Sequence, residues 1–324
     1  QKDIDDRKLV DRLVPEDDLG ACEGFFTTTY EMQPEFFETD FLPAFLKLGA
    51  WDNRHWTTRI ALERELAHMH SASVLLDSSK YPGRTRSLRV EILPARGPSG
   101  NRLHAKILLA LYEQGVRLLV GSSNLTEPGY RQNVEVSAVL SASRNKPEHA
   151  QLILMAIQQA ETLLSPWWTE GNRIIKEKAI TQLESLAMPG NETEWFCWGG
   201  GAQPVWQQIL ARWPQGEKVR EIHVVSPFWS EETGNGPLVR LVRALLERDQ
   251  LESGARVLLT TEAVPLGQNS WQPVLPGSYQ AFDFPGLGVQ CTAAPIDPNV
   301  LREEVLREDF AGTRPLHAKI ALLS

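Results

Sequence analysis

Apolar positions along this chain fall into short alternating runs separated by longer stripes at helical spacing. Phe26 to Met32 reads as a strand. Phe36, Phe37, Phe41, Leu42, Phe45 and Leu46 give Pro34 to Leu48 a helical pattern, which Pro43 is expected to kink or split. A second helix is expected from Trp56 to His70, then strands at 73–77 and 88–93, a hairpin from Leu103 to Asn124, a strand at 135–140, and helices at 147–164 and 174–187. The same order then returns. A strand at 221–227 precedes a helix at 237–248, where Leu238, Leu241, Val242, Leu245 and Leu246 share one face, and strands follow at 255–261, 288–292 and from Leu316. Strands alternating with helices imply an α/β chain built of mixed sheets covered by helices on both faces. The expected organisation is an extension at 1–24, a first repeat at 25–165, a linker at 166–201 and a second repeat at 202–324.

The repeat is sharpest at Leu103-His104-Ala105-Lys106-Ile107, which returns as Leu316-His317-Ala318-Lys319-Ile320. On a strand, His104 and Lys106 share a face with Leu108 and Ala110, while Ala105, Ile107, Leu109 and Leu111 make the other face apolar and buried. The strand turns at Glu113-Gln114-Gly115 and returns to Gly121-Ser122-Ser123-Asn124. A three-residue loop with Gly115 in the left-handed conformation pairs Tyr112 with Val116, and so sets Lys106 opposite Ser122 and His104 opposite Asn124. A two-residue loop would shift the register by one, and is expected to bring Ser123 opposite Lys106.

An imidazole two residues from an ammonium makes a poor metal site, because lysine only donates and repels a cation; the same grouping suits a phosphate. Lys106 and Lys319 would supply charge, Ser122 and Asn124 hydrogen bonds, and the two histidines a nucleophile and a proton donor on opposite sides of phosphorus. Neither a metal nor another cofactor is expected.

His-x-Lys, Gly-Ser-x-Asn and then Asn133-x-Glu135 resemble the phospholipase D superfamily and its His-Lys-Asp motif. Tyrosyl-DNA phosphodiesterases and bacterial nuclease-like members are the closest in look: His-x-Lys, an apolar run, Tyr-Glu-x-Gly, an apolar strand and Ser-Asn-Leu match from Leu103 to Leu125. The motif's Asp, five residues after the Lys, is here Leu111, as in the tyrosyl-DNA phosphodiesterase branch. The resemblance implies two pseudo-symmetric repeats, His104 and His317 face to face, His104 as nucleophile and His317 as acid, and Glu135 accepting from the far nitrogen of a motif histidine. It implies a metal-independent phosphodiesterase acting through a phosphohistidine.

Composition and charge then bear on the substrate. A net charge of −8 speaks against broad capture of nucleic acid, yet Lys80, Arg84, Arg86, Arg89, Arg96 and Arg102 face only Glu91 in the segment leading into His104. That segment is either a solvated loop or a track for a phosphate backbone. Arg84, Arg86 and Arg102 are the candidate contacts, with Tyr30, Phe228 and Trp229 as aromatic groups for bases. Trp167-Trp168 is read as plugging the seam between subdomains rather than stacking bases.

Nucleic acid, DNA before RNA, is the expected partner. Phospholipid cleavage is an alternative that no interfacial helix or anchor favours. A non-catalytic nucleic-acid-binding or assembly module of a larger protein is another. No run of about 18 apolar residues suggests a membrane span, and three isolated cysteines, Cys22, Cys197 and Cys291, suggest a reducing, cytoplasmic setting without a zinc or disulfide framework. The first copy of the motif needs 31 residues beyond His104 to reach Glu135, so a full second copy would run to about residue 348. Truncation of a longer protein is the favoured reading; supply of the second Gly-Ser-x-Asn by another chain, or a degenerate half-site retained for binding, are the others.

Overall fold

The computed structural model describes residues 9–48, 56–81, 89–97, 100–133, 135–186, 197, 199, 203–227, 229, 236–266, 270–275, 279, 283–296 and 320–324. The chain separates into two compact units, Gln1–Arg131 with Ser137–Gly201, and Gln132–Val136 with Ala202–Ser324.

The first unit is built on β1 (Cys22–Thr29), the short helices α1 (Pro34–Phe36) and α2 (Leu42–Phe45), α3 (Trp56–His68), β2 (Ser71–Asp77), β3 (Glu91–Ala95), β4 (Ile107–Tyr112), β5 (Gly115–Gly121), β6 (Ser137–Ser143), α4 (Ala150–Leu164) and α5 (Glu170–Leu186). Its six strands lie in the order β3-β2-β1-β4-β5-β6, with β1, β2 and β3 parallel and β4, β5 and β6 antiparallel to their neighbours. Both faces are covered. Ile107, Leu109 and Leu111 point to a core shared with α4 and α5, through Ile153, Ile157, Ala160, Ile175 and Leu183. The alternate residues Leu108, Ala110 and Tyr112 point to a second core filled by Leu13, Leu19, Phe37, Phe41, Phe45, Leu62 and Leu66. The strand period therefore distributes one sequence run between two layers.

Pro43 does not end its helical segment, which continues to Phe45. A π-helical turn, Phe37–Phe41, precedes α2, and the Leu42 N–H bonds back to the Phe37 carbonyl. Widening the turn just before a residue that has no N–H lets the helical path continue. Trp168 is buried within the first core, its ring 5.6 Å from Phe26, and Trp167 packs at the margin of that core. Trp168 thus belongs to the core of the first unit. The third strand also begins later than its hydrophobic pattern suggests, at Glu91.

The second unit contains α6 (Val205–Arg212), β7 (Val219–Val225), α7 (Pro237–Glu247), β8 (Leu251–Thr261), a small hairpin of β9 (Ala263–Pro265) and β10 (Trp271–Pro273), β11 (Gln290–Pro295) and β12 (Ile320–Leu323). Its main sheet has the order β11-β8-β7-β12, with β7, β8 and β11 parallel and β12 antiparallel to β7. This reproduces β3-β2-β1-β4 strand for strand and direction for direction. Leu238, Leu241, Val242 and Leu245 of α7 pack with Ile222, Val257 and Leu259 to form its core. No described helix is long and apolar enough to cross a membrane.

Candidate functional site

The hairpin that carries the motif is tighter than expected. Tyr112 pairs with Gly115 and Ile107 with Val120, so the loop is Glu113-Gln114 alone, and the Gly121 N–H bonds to the Lys106 carbonyl at 3.1 Å. Lys106 thus lies opposite Gly121. The shift runs toward the start of β5, which places neither Ser122 nor Ser123 across from it. Gly115 does not adopt a positive φ. It is glycine for space, because a Cβ there would run into the Ala142 carbonyl and meet the Leu19 side chain at 2.6 Å. The turn is held from outside: the N–H groups of Glu113 and Gln114 bond to the carbonyls of Ala21 and Leu19, each at 3.0 Å.

The ladder between β1 and β4 stops at Thr27 and Leu108. Beyond it, side chains replace main-chain pairing. The Thr28 hydroxyl accepts from the Ile107 N–H at 3.1 Å and donates to the Ala105 carbonyl at 2.9 Å, and the Thr27 hydroxyl donates to the Ile107 carbonyl at 2.8 Å. The segment Leu103–Lys106 therefore leaves the sheet while staying anchored to it. Thr29 does the same for the loop after β5, accepting from the Leu125 N–H at 3.1 Å and donating to the Glu31 carbonyl at 2.7 Å. All three threonines are buried. Their run in the sequence was the available signal for this role, and the hydrophobic pattern passes over it.

Asp77, at the end of β2, fixes the other side of the segment. It is buried, accepts from the Leu103 N–H at 2.6 Å and from the Ser79 N–H at 2.9 Å, and so holds the residue before His104. Burial by itself would raise its pKa. The Ser79 hydroxyl and N–H, the Leu103 N–H and the nearby Arg96 outweigh burial and hold it below the ordinary carboxylate value.

Held in this way, His104 is exposed and Lys106 is buried. The ammonium of Lys106 turns back, donating to the His104 carbonyl at 2.9 Å and lying 2.8 Å from Nδ1 and 3.3 Å from Nε2. An ammonium only donates, so the ring nitrogen facing it is the acceptor. Tyr30, directly after β1, has its ring 5.3 Å from the imidazole, and Arg102 sits over Tyr30 at 5.8 Å.

Ser122 and Asn124 follow β5 on the loop that Thr29 anchors. Ser123 Oγ and Asn124 Oδ1 are buried with no hydrogen-bond partner among the described residues. Glu135 precedes β6 and accepts from Asn133 Nδ2 at 3.1 Å. Trp229 is partly buried and packs against the second core, its indole N–H donating to the Thr261 hydroxyl at 3.1 Å and its ring 5.3 Å from Tyr279. Arg84, Arg86, Phe228, His317 and Lys319 lie outside the described residues.

The geometry places the first-unit groups at one sheet edge: the carboxyl ends of β1 and β2, the entry to β4 and the exit of β5. In α/β sheets this is the edge where ligands are bound.

No protein-family model and no curated protein matches this chain. Among solved structures, yeast tyrosyl-DNA phosphodiesterase is similar with a TM-score of 0.51 and 10% identity, over 97% of this chain and 75% of that one. A mutant of the yeast enzyme gives 0.42 and 9% identity, over 78% of this chain and 61% of that one. Polyphosphate kinase from Porphyromonas gingivalis gives 0.42 and 11% identity, over 97% and 40%. The chain thus spans about three fifths of the mutant's length. At 10% identity, the likeness to the yeast enzyme is one of fold, and it agrees with a strand order that occurs twice in this chain. The chain shares the fold of yeast tyrosyl-DNA phosphodiesterase.

Proposed function

We propose that the chain is the catalytic part of a metal-independent phosphodiesterase that cleaves nucleic acid, DNA in the first place, and that its two sheets are two repeats contributing one His-x-Lys pair each. One observation carries the reading. His104 and Lys106 stand immediately before β4, and in the sequence His317 and Lys319 stand immediately before β12, the strand in the same place of a sheet with the same order.

In this scheme neutral His104 attacks phosphorus, forming a P–N bond as the bond to the leaving oxygen breaks and that oxygen takes a proton from His317. His317 then removes a proton from water, which attacks the phosphohistidine and frees His104. Lys106 and Lys319 offset the charge on the phosphoryl oxygens, with Ser122 and Asn124 as hydrogen-bonding groups. Glu135 fixes a histidine tautomer by accepting from its far nitrogen. Arg84, Arg86, Arg102, Tyr30 and Phe228 form the track for the strand.

Labelled single-stranded and duplex DNA, RNA and phosphatidylcholine, incubated with the protein and with His104→Ala, with and without chelator, test this. Cleavage of DNA, insensitive to chelator and abolished in His104→Ala, is expected. Cleavage of lipid alone, or full activity of His104→Ala, overturns the reading; binding of DNA without turnover would instead make the chain a non-catalytic module.

A further inference from the structure

Three connections at the site edge meet on one ring. Tyr30 follows β1, Lys80 closes the short turn Ser78–Lys80 after β2, and Arg102 lies on the segment entering His104. The Lys80 ammonium is 5.5 Å from the Tyr30 ring centre and the Arg102 guanidinium 5.8 Å, both at cation–π range, while the His104 ring is 5.3 Å from the same ring. Glu31 pairs with Lys80 at 3.5 Å, with both side chains well exposed, a contact that solvent weakens and an anionic ligand can displace. Lys106 lies directly against the His104 imidazole and donates to the His104 carbonyl, so the charge assigned above to the phosphate at His104 is already in place there. Lys80 and Arg102 are additional positive charge, beyond what a single monoanionic phosphodiester at His104 would match.

We propose that Tyr30, Lys80 and Arg102 form a subsite for a second phosphate, the one neighbouring the phosphate that His104 attacks. The inference rests on the function proposed above and narrows it. The substrate is a strand carrying at least two phosphates in succession, and a lone phosphodiester such as a lipid headgroup fills only half of the site. Tyr30 serves as the post that orders the two cations, because its ring is already engaged by them and by the imidazole. Lys80 lies outside the His-x-Lys motif, at the start of the basic run, and its neighbourhood in the fold gives it this role.

Binding tests this separately from turnover. The affinity of a fluorescent single-stranded DNA is measured by anisotropy for the native chain, Lys80→Ala and Arg102→Ala, using an all-phosphate strand and strands with one linkage replaced by a neutral methylphosphonate at each position in turn. Each variant should bind the all-phosphate strand about 5- to 10-fold more weakly and flatten the dependence of log K on log salt by about 0.7. For one methylphosphonate position, the native chain should lose the same factor and Lys80→Ala nothing further. Additive losses at every position, unchanged binding in both variants, or no binding of the native chain to the strand would overturn the subsite. Tight, Lys80-dependent binding without cleavage would leave it standing while removing the catalytic reading.

Discussion

Replacing Asp77 with Asn probes the anchor behind His104 without changing its volume. The two carboxylate oxygens divide the work, Oδ2 accepting from the Leu103 N–H and Oδ1 from Ser79. An amide has only one oxygen, so whichever way it turns, its NH₂ faces a main-chain N–H, that of Leu103 or that of Ser79. One charge-assisted hydrogen bond, about 1.5–3 kcal/mol, is lost and one donor is left without an acceptor, for a destabilisation of about 2–4 kcal/mol. With a urea slope of about 2 kcal/mol per molar, the midpoint of unfolding should fall by about 1–2 M. The effect should depend on pH with a definite sign. Because the folded-state pKa of Asp77 is held below its ordinary value, its contribution is complete above that ordinary value and is lost as pH falls through the folded one. The gap between native and variant should therefore be widest at neutral pH and close in acid. Urea titrations from pH 7 downward decide the matter; equal midpoints at pH 7, or a gap that does not change with pH, would refute the reasoning.

Thr28→Val removes the hydroxyl that stands in for two ladder partners, and should cost about 2 kcal/mol in thermal or urea unfolding, with Thr28→Ser recovering most of it. Arg117 is buried and donates to the carbonyls of Leu13 and Arg12, each at 2.6 Å, so it straps the first described segment across the sheet. Arg117→Leu should cost about 3 kcal/mol, and limited proteolysis should then cut between residues 9 and 19 well before the core is digested.

Much of the architecture was legible because the apolar periods are strong. Ile107, Leu109 and Leu111 announced a buried face, and the return of the pentapeptide announced a second sheet, which the strand orders reproduce. The hairpin register was not legible, since Glu-Gln-Gly fits either loop length. What settles it is the distant segment Leu19–Ala21, which binds the turn, and the closeness of Ala142, which leaves no room for a side chain at position 115. The place of Trp168 in the core was not legible because a tryptophan pair reads the same in a seam as in a core; the partner that shows it, Phe26, is remote in sequence. Within the candidate site, His104, Lys106 and Asn124 stood out by motif. Asp77 and the three threonines did not, because their work is to hold main chain, and no spacing records it.

The most direct measurement of the central claim is to trap the covalent intermediate. DNA labelled at the scissile phosphate is mixed with the native chain, His317→Ala and His104→Ala, quenched in denaturant, and the site of label mapped by mass spectrometry. Stable label on His104 in His317→Ala, transient label in the native chain and none in His104→Ala is the expected result. Cleavage with no label on any histidine, or label retained in His104→Ala, would contradict the account.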